Sequence, residues 1–286
     1  MITEGGGKAE VTIQALATVQ LELESRPESV TLVRSMLAGL GEYLEFDPEL
    51  MDDLKTAISE ACNNVVLHAY RGETGPLRVS MNVTEDDFQV SVRDEGIGIQ
   101  RISPAVNRMG VGLAVISALA RRAEFLSEPE RGTEVKMSFG SDGVGAYAEL
   151  AARGGVVTVK RPAEVGGEVV VTLGPSDLLL EVMGRLVRTV AAGAHFSVDR
   201  FPSLHRLTGA ISARAVEMDR GGEVSFSISG HSKHLELKVG PLPGGSTANL
   251  FDGPPPPGLD GLIQRLESVS VPDGELLEVV VVDPRR

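Results

Sequence analysis

The tripeptide Ala57-Ile58-Ser59 recurs as Ala210-Ile211-Ser212, and the segments around the two copies follow one another in the same order. In the first half a strand pattern, Val11 to Leu23, precedes a helix opened by Pro27 with Val30, Val33, Leu37 and Leu40 on one face. A second helix follows, then the alternating runs LRVSMNVT and FQVSVRD. In the second half Glu168 to Leu173 reads as the strand, Asp177 to Ala192 as the first helix, and Leu204 to Met218 as the second. VSFSIS and LELKV read as the hairpin. Alternation with a period of two marks the strands, and apolar spacings of three and four mark the helices. A chain that repeats its own order of elements is confined to folds that can be built twice from one plan, so a tandem duplication is expected.

The remaining elements fix the class. After the first hairpin Asp94 enters DEGIGI, Asp94 to Ile99, and a loop leads to a helix, GVGLAVISALARRA, that begins at Gly110 and faces Leu113, Ile116, Leu119 and Ala123 inward. A closing strand runs from Thr133 to Phe139. The expected fold is an α/β (α+β) two-layer sandwich, a mixed, mostly antiparallel sheet with helices on one face. Residues 1–140 form the first domain on this reading. A Gly- and Ala-rich linker spans 141–166, and 167–286 form the second domain.

The helix opened by Asp47 and Pro48 carries the first hint of chemistry. Asp is a good N-cap and Pro suits the first helical position. Leu54, Ile58, Ala61 and Val65 make one apolar stripe, and Glu60, Asn64 and His68 run along its flank. A carboxylate, a carboxamide and an imidazole are thereby stacked at the edge of a core helix. The second copy erases them, with Ala213, Glu217 and Gly221 at the matching positions. There DEGIGI becomes PLPGG, Pro241 to Gly245, and the run from Ser246 to Gly258 carries four successive prolines that favour extended backbone.

Three separated pieces of the first half complement one another. Asp94 offers a carboxylate acceptor to an exocyclic amine such as that of adenine, and Gly96 and Gly98 let a flat ring approach the backbone. Gly110 and Gly112 stand at a helix start, where free amides favour phosphate, and Arg108 beside them adds charge. Asn64 can give an oxygen to Mg²⁺, and Glu60 can take a proton from an attacking hydroxyl or water.

Composition sets the outer limits. Net charge is −13, with 13 Lys+Arg against 22 Asp+Glu up to residue 140 and 14 against 18 beyond it. Neither half has the basic surface that direct nucleic-acid binding demands. No apolar run nears the roughly 20 residues of a membrane span, so a cytoplasmic location is expected. The single cysteine, Cys62, excludes an intramolecular disulfide and reads as a small core residue.

SEACNNVVLHAY, DEGIGI, RMGVGLAV and GTEVKMSF stand in the order of the N box, G1 box, G2 box and closing strand of the GHKL ATP-binding superfamily. Residues 10 to 140 most resemble its anti-sigma-factor serine/threonine kinases. The resemblance implies a Bergerat fold that binds ATP and Mg²⁺. It implies Glu60 as general base, Asn64 as metal ligand, and Asp94 as the adenine anchor above the turn of Gly96 and Gly98. Arg108 would reach the γ-phosphate, Gly110 and Gly112 would form the phosphate-side turn, and Thr133 would hold adenine through water. His68 completes the N-box flank. The implied partners are a sigma factor and an anti-anti-sigma (STAS-type) antagonist phosphorylated on a hydroxyl, in a stress or sporulation switch. Two features depart from the pattern. The segment between Ile99 and Gly110 is short for a lid, and a degenerate second copy stands where a separate subunit is usual, which suggests an intramolecular pseudo-dimer. A non-catalytic ATP-gated binding module and a histidine-kinase-like ATPase domain are the alternatives.

Overall fold

The computed structural model describes residues 15–84, 86–98, 110–153, 165–219, 222–245, 250, 258–259 and 261–284. Arg108, the segment between Ile99 and Gly110, and Gly221 lie outside them, as does most of the proline-rich run.

In the first half β1 (Ala17–Glu24) leads into α1 (Pro27–Tyr43) and α2 (Pro48–Asn64). Next come the hairpin β2 (Pro76–Val83) and β3 (Asp87–Asp94), α3 (Gly110–Leu119), and the pair β4 (Arg122–Glu128) and β5 (Gly132–Gly140). The short helix α4 (Tyr147–Arg153) lies in the stretch read as linker. The second half runs β6 (Val169–Gly174), α5 (Leu178–Gly193), α6 (Phe201–Asp219), β7 (Val224–His231), β8 (His234–Leu242), β9 (Ile263–Val271) and β10 (Gly274–Val282).

Local chemistry explains the helix starts. The Asp47 carboxylate accepts the Leu50 amide at 2.8 Å with Pro48 behind it, as the sequence predicts. Leu54, Ile58, Ala61 and Val65 are buried, and burying each large apolar side chain contributes about 1.5–3 kcal/mol. The sheet supplies the opposing surface, because Val19, Leu21, Val79, Val90 and Val92 all point into the same core.

All ten strands form one sheet in the order β4-β5-β3-β2-β1-β6-β7-β8-β10-β9, and every ladder is antiparallel. The expected mixed sheet is thus wholly antiparallel in its named strands. Outward from the β1–β6 junction, the second half repeats the first strand for strand. Leu21 pairs with Val171 near the middle of the junction ladder, which runs from Thr18↔Gly174 to Leu23↔Val169. Above it α1 crosses α5: the Ser35 and Thr189 hydroxyls are hydrogen-bonded at 3.0 Å, and Arg185 pairs with Glu42. A Cβ on Gly39 would stand 2.7 Å from the Glu181 carbonyl oxygen, so this crossing depends on glycine.

Two elements differ from the sequence reading. The third helix stops at Leu119, and Ala123 lies not on it but on β4, where it pairs with Met137. Ala123 and Phe125 alternate with Arg122 and Glu124, and pairing with the open edge of β5 over seven residues outweighs helical continuation. The hairpin β9–β10 was not expected at all; it occupies in the second half the place of β4–β5 in the first.

Candidate nucleotide site

At its C-terminal end α2 passes into a wider, π-type turn, Val65–Ala69, of the kind often found at functional sites. Glu60 and Asn64, on the last turns of α2, are half-buried. Gly112 of α3 faces both: a Cβ there would stand 3.0 Å from Glu60 Oε2 and 3.5 Å from Asn64 Nδ2. Asn64 Nδ2 is buried without a hydrogen-bond partner. An orphaned carboxamide costs about 1–3 kcal/mol, so a polar ligand is the expected occupant of the space before it. His68 sits on the π-type turn and is exposed.

Asp94 ends β3 and is 4% exposed. Its Oδ1 accepts the Gly96 amide at 2.8 Å and the Thr133 amide at 3.2 Å, and both recorded bonds fall on that one oxygen. Among the described residues nothing is hydrogen-bonded to Oδ2. Burial raises the Asp94 pKa, opposed by those two amides and by Arg93. Thr133 acts on Asp94 through its backbone, while its hydroxyl lies 3.4 Å from Ser127 Oγ.

The loop after Asp94 is held against the π-type turn. Ile97 donates its amide to the Ala69 carbonyl at 3.0 Å, and a Cβ on Gly96 would stand 2.2 Å from that same oxygen. Gly98 has φ +74° and lies against the Glu128 carbonyl. The Tyr70 hydroxyl donates to Pro76 O at 2.5 Å and accepts the Glu95 amide at 2.8 Å, and Arg78 pairs with the Glu95 carboxylate at 2.5 Å. The sequence reading named Tyr70 only as the end of a motif and did not single out Arg78. Neither partnership has a signature along the chain, since Tyr70 and Glu95 meet only when β3 folds beside the end of α2.

Glu60, Asn64 and Gly112 thus converge at one place, and Asp94, Gly96, Gly98 and Thr133 at the end of the neighbouring strands. Gly110 starts α3 as expected. Among the described residues no group of three or more His, Cys, Asp or Glu side chains can hold a metal. A Mg²⁺ bound by one carboxamide, phosphates and water needs no such group. A groove of about 920 Å³ lies elsewhere, at the junction of the halves, and Glu22, Pro76, Arg78, Val169 and Val190 are among its walls. No described helix is long and apolar enough to cross a membrane.

In the first half α2 and α3 pack against each other beside the antiparallel sheet, and the buried carboxylate of Asp94 ends the second strand of the β2–β3 hairpin, which makes this half a two-layer α/β domain. Residues 23–139 match the histidine kinase-like ATPase domain. Serine-protein kinase RsbW of Bacillus cereus (strain Q1) is 30% identical over 115 residues, 35% of this chain and 72% of that protein. Anti-sigma F factor of Caldanaerobacter subterraneus subsp. tengcongensis is 28% identical over 130 residues, 42% of this chain and 91% of that protein. Anti-sigma F factor of Thermoanaerobacter pseudethanolicus is 29% identical over 136 residues, 43% of this chain and 95% of that protein. The chain belongs to the family of histidine kinase-like ATPase domains and is homologous to anti-sigma F factor and RsbW.

Proposed function

We propose that the chain is an ATP- and Mg²⁺-dependent regulator of the anti-sigma type, whose first half phosphorylates a serine or threonine of an antagonist protein. The observation that carries this reading is the meeting of Glu60 and Asn64 at Gly112, beside an Asp94 whose Oδ2 is open. Asp94 would accept the exocyclic amine of adenine, Asn64 would hold Mg²⁺, and the start of α3 at Gly110 would face the phosphates. Mg²⁺ supplies charge neutralisation of the phosphates. Glu60 takes the proton of the partner's hydroxyl as its oxygen bonds to the γ-phosphorus and the bond to the β-phosphate bridge breaks. Arg108, two residues before Gly110, would reach the γ-phosphate, and His68 is kept as a nucleotide-binding residue from its place on the same flank as Glu60 and Asn64.

The second half is read as a duplicated copy that keeps the frame and not the site. In support, Ala213 is exposed, and Glu217 forms a surface pair with Arg214 at 2.9 Å. Leu250, Leu259 and Leu262 are buried in the core of that half. The β1–β6 ladder and the α1–α5 crossing then make an intramolecular pseudo-dimer, with a sigma factor and a STAS-type antagonist as partners.

Incubating the full chain with labelled ATP, Mg²⁺ and a candidate antagonist domain tests the reading. Transfer to a hydroxyl is expected, and Glu60→Ala is expected to bind ATP while losing about 10²–10⁴-fold in transfer rate. Full transfer by that variant would overturn the general-base role. ATP binding with no transfer to any antagonist would leave an ATP-gated capture module instead.

A further inference from the structure

Glu95, the residue next to the adenine-facing carboxylate, is gripped at both ends. Its amide donates to the Tyr70 hydroxyl at 2.8 Å, and its carboxylate accepts from Arg78 at 2.5 Å. Each grip is anchored in turn. The Tyr70 hydroxyl donates to Pro76 O at 2.5 Å, and its ring packs so tightly over Gly75 that a Cβ there would lie 2.3 Å from it. Gly75 is fixed by two hydrogen bonds to Ser25, at 2.8 Å from the Ser25 amide and 3.0 Å to the Ser25 hydroxyl. Arg78 stands opposite Glu22 on β1 and lies 3.9 Å from its carboxylate. Glu22 itself pairs with Val170 across the junction.

Asp94 needs such support. It is a buried carboxylate that must keep Oδ2 pointed at a base while Oδ1 holds two amides, and a rotation of its peptide would lose both functions. A rotation about the 94–95 linkage is what a hold on the Glu95 amide and side chain resists. Ala69 performs the same service two residues further on, by accepting the Ile97 amide.

We propose that Tyr70 and Arg78 are positioning residues for base recognition: together they clamp Glu95 and so fix the Asp94 carboxylate in the orientation that accepts adenine. The inference rests on the ATP reading above and extends it to residues that touch no part of the nucleotide. The phosphate side, built by α2 and α3, is independent of the clamp. The clamp therefore acts on affinity for the base and leaves affinity for phosphate alone.

Titration calorimetry of the full-length protein with Mg·ATP and, separately, with Mg·tripolyphosphate tests this. Tyr70→Phe keeps the ring and removes both hydrogen bonds; Arg78→Met keeps the stem and removes the carboxylate grip. Loss of hydrogen bonds that only orient a neighbour is expected to weaken ATP binding about tenfold in each variant, with tripolyphosphate affinity unchanged within twofold. ATP affinity within twofold of wild type in both variants would overturn the clamp. A parallel loss for ATP and tripolyphosphate would also overturn it, by showing a general structural role. If Tyr70→Phe fails to fold, Arg78→Met carries the same comparison. A wild-type protein that binds tripolyphosphate and not ATP would remove the adenine reading itself, a result distinct from failure of the clamp.

Discussion

Replacing Asp94 by Asn separates recognition from stability. The amide oxygen of Asn can still accept the Gly96 and Thr133 amides that Asp94 Oδ1 accepts at 2.8 and 3.2 Å, so the loop keeps its anchor. Its NH₂ then faces the amine of adenine, donor against donor. Losing a charge-assisted bond costs about 1.5–3 kcal/mol and leaving buried donors unpaired about 1–3 more, together about 2.5–6 kcal/mol. At 1.4 kcal/mol per tenfold, ATP affinity is expected to fall by about 10² to 10⁴. Stability should move the other way. Burial raises the Asp94 pKa above its ordinary 3.8, so the folded state holds that proton more tightly than the unfolded chain does. Wild-type stability therefore falls as pH rises from the ordinary carboxylate range through the raised value, and stays lower above it. The Asn variant escapes this penalty. Its apo melting point is expected at or slightly above wild type at pH 7, by about 2 °C per kcal/mol regained, and the difference should close in acid. Calorimetric titration with ATP and thermal melts at pH 7 and pH 4 measure both effects. An Asn variant that binds ATP within threefold of wild type, or melts lower at pH 7 than wild type, would refute the reasoning.

Two glycines on helices should respond oppositely to alanine. Gly39→Ala meets the Glu181 carbonyl at 2.7 Å and is expected to lower stability by about 1–3 kcal/mol in denaturant titration, despite better helix propensity. Gly209→Ala, on the exposed face of α6 with nothing within 4 Å, should raise stability by about 0.5–1 kcal/mol. The Cys62 thiol is buried and its pKa pushed up to about 12, so iodoacetamide at pH 8 should label it only after unfolding, as read by mass spectrometry. Placing Glu and Asn on α6 by Ala213→Glu and Glu217→Asn should leave ATP stoichiometry by calorimetry at one per chain. That half has no acidic residue matching Asp94, and Leu250, Leu259 and Leu262 are buried in its core.

What was legible in the sequence was whatever is written locally. The start of α2 was, because Asp47 and Pro48 are a cap and a first-turn residue in adjacent positions. The hairpins β2–β3 and β7–β8 were legible from alternation, and the placing of Glu60 and Asn64 on one flank from helical spacing. What was hidden depends on partners far along the chain. Arg122 to Glu128 can continue a helix by its local pattern and becomes β4 only because β5 offers an open edge. The β9–β10 hairpin has no clear signature in the sequence because nearly all of β9 is exposed on both faces, so it carries no clean inside-outside alternation. The π-type turn at Val65–Ala69 was likewise invisible to a period of 3.6. The Tyr70 and Arg78 contacts span 25 and 17 residues, and no spacing rule announces them.

The topology also separates the elements that join the halves from those that carry the candidate site. The elements that join the halves are β1, α1, β6 and α5. The candidate site is built by the end of α2, the end of β3, the start of α3 and the start of β5. These two sets of elements do not overlap, so the stripe that packs each helix and the flank that carries chemistry are under separate physical demands. In α6 the buried apolar stripe is Leu204, Leu207, Ile211 and Ala215, while Ala213 and Glu217 face solvent. A buried polar group without a partner, as Asn64 Nδ2 is at the end of α2, is a cost that only an occupied site offsets.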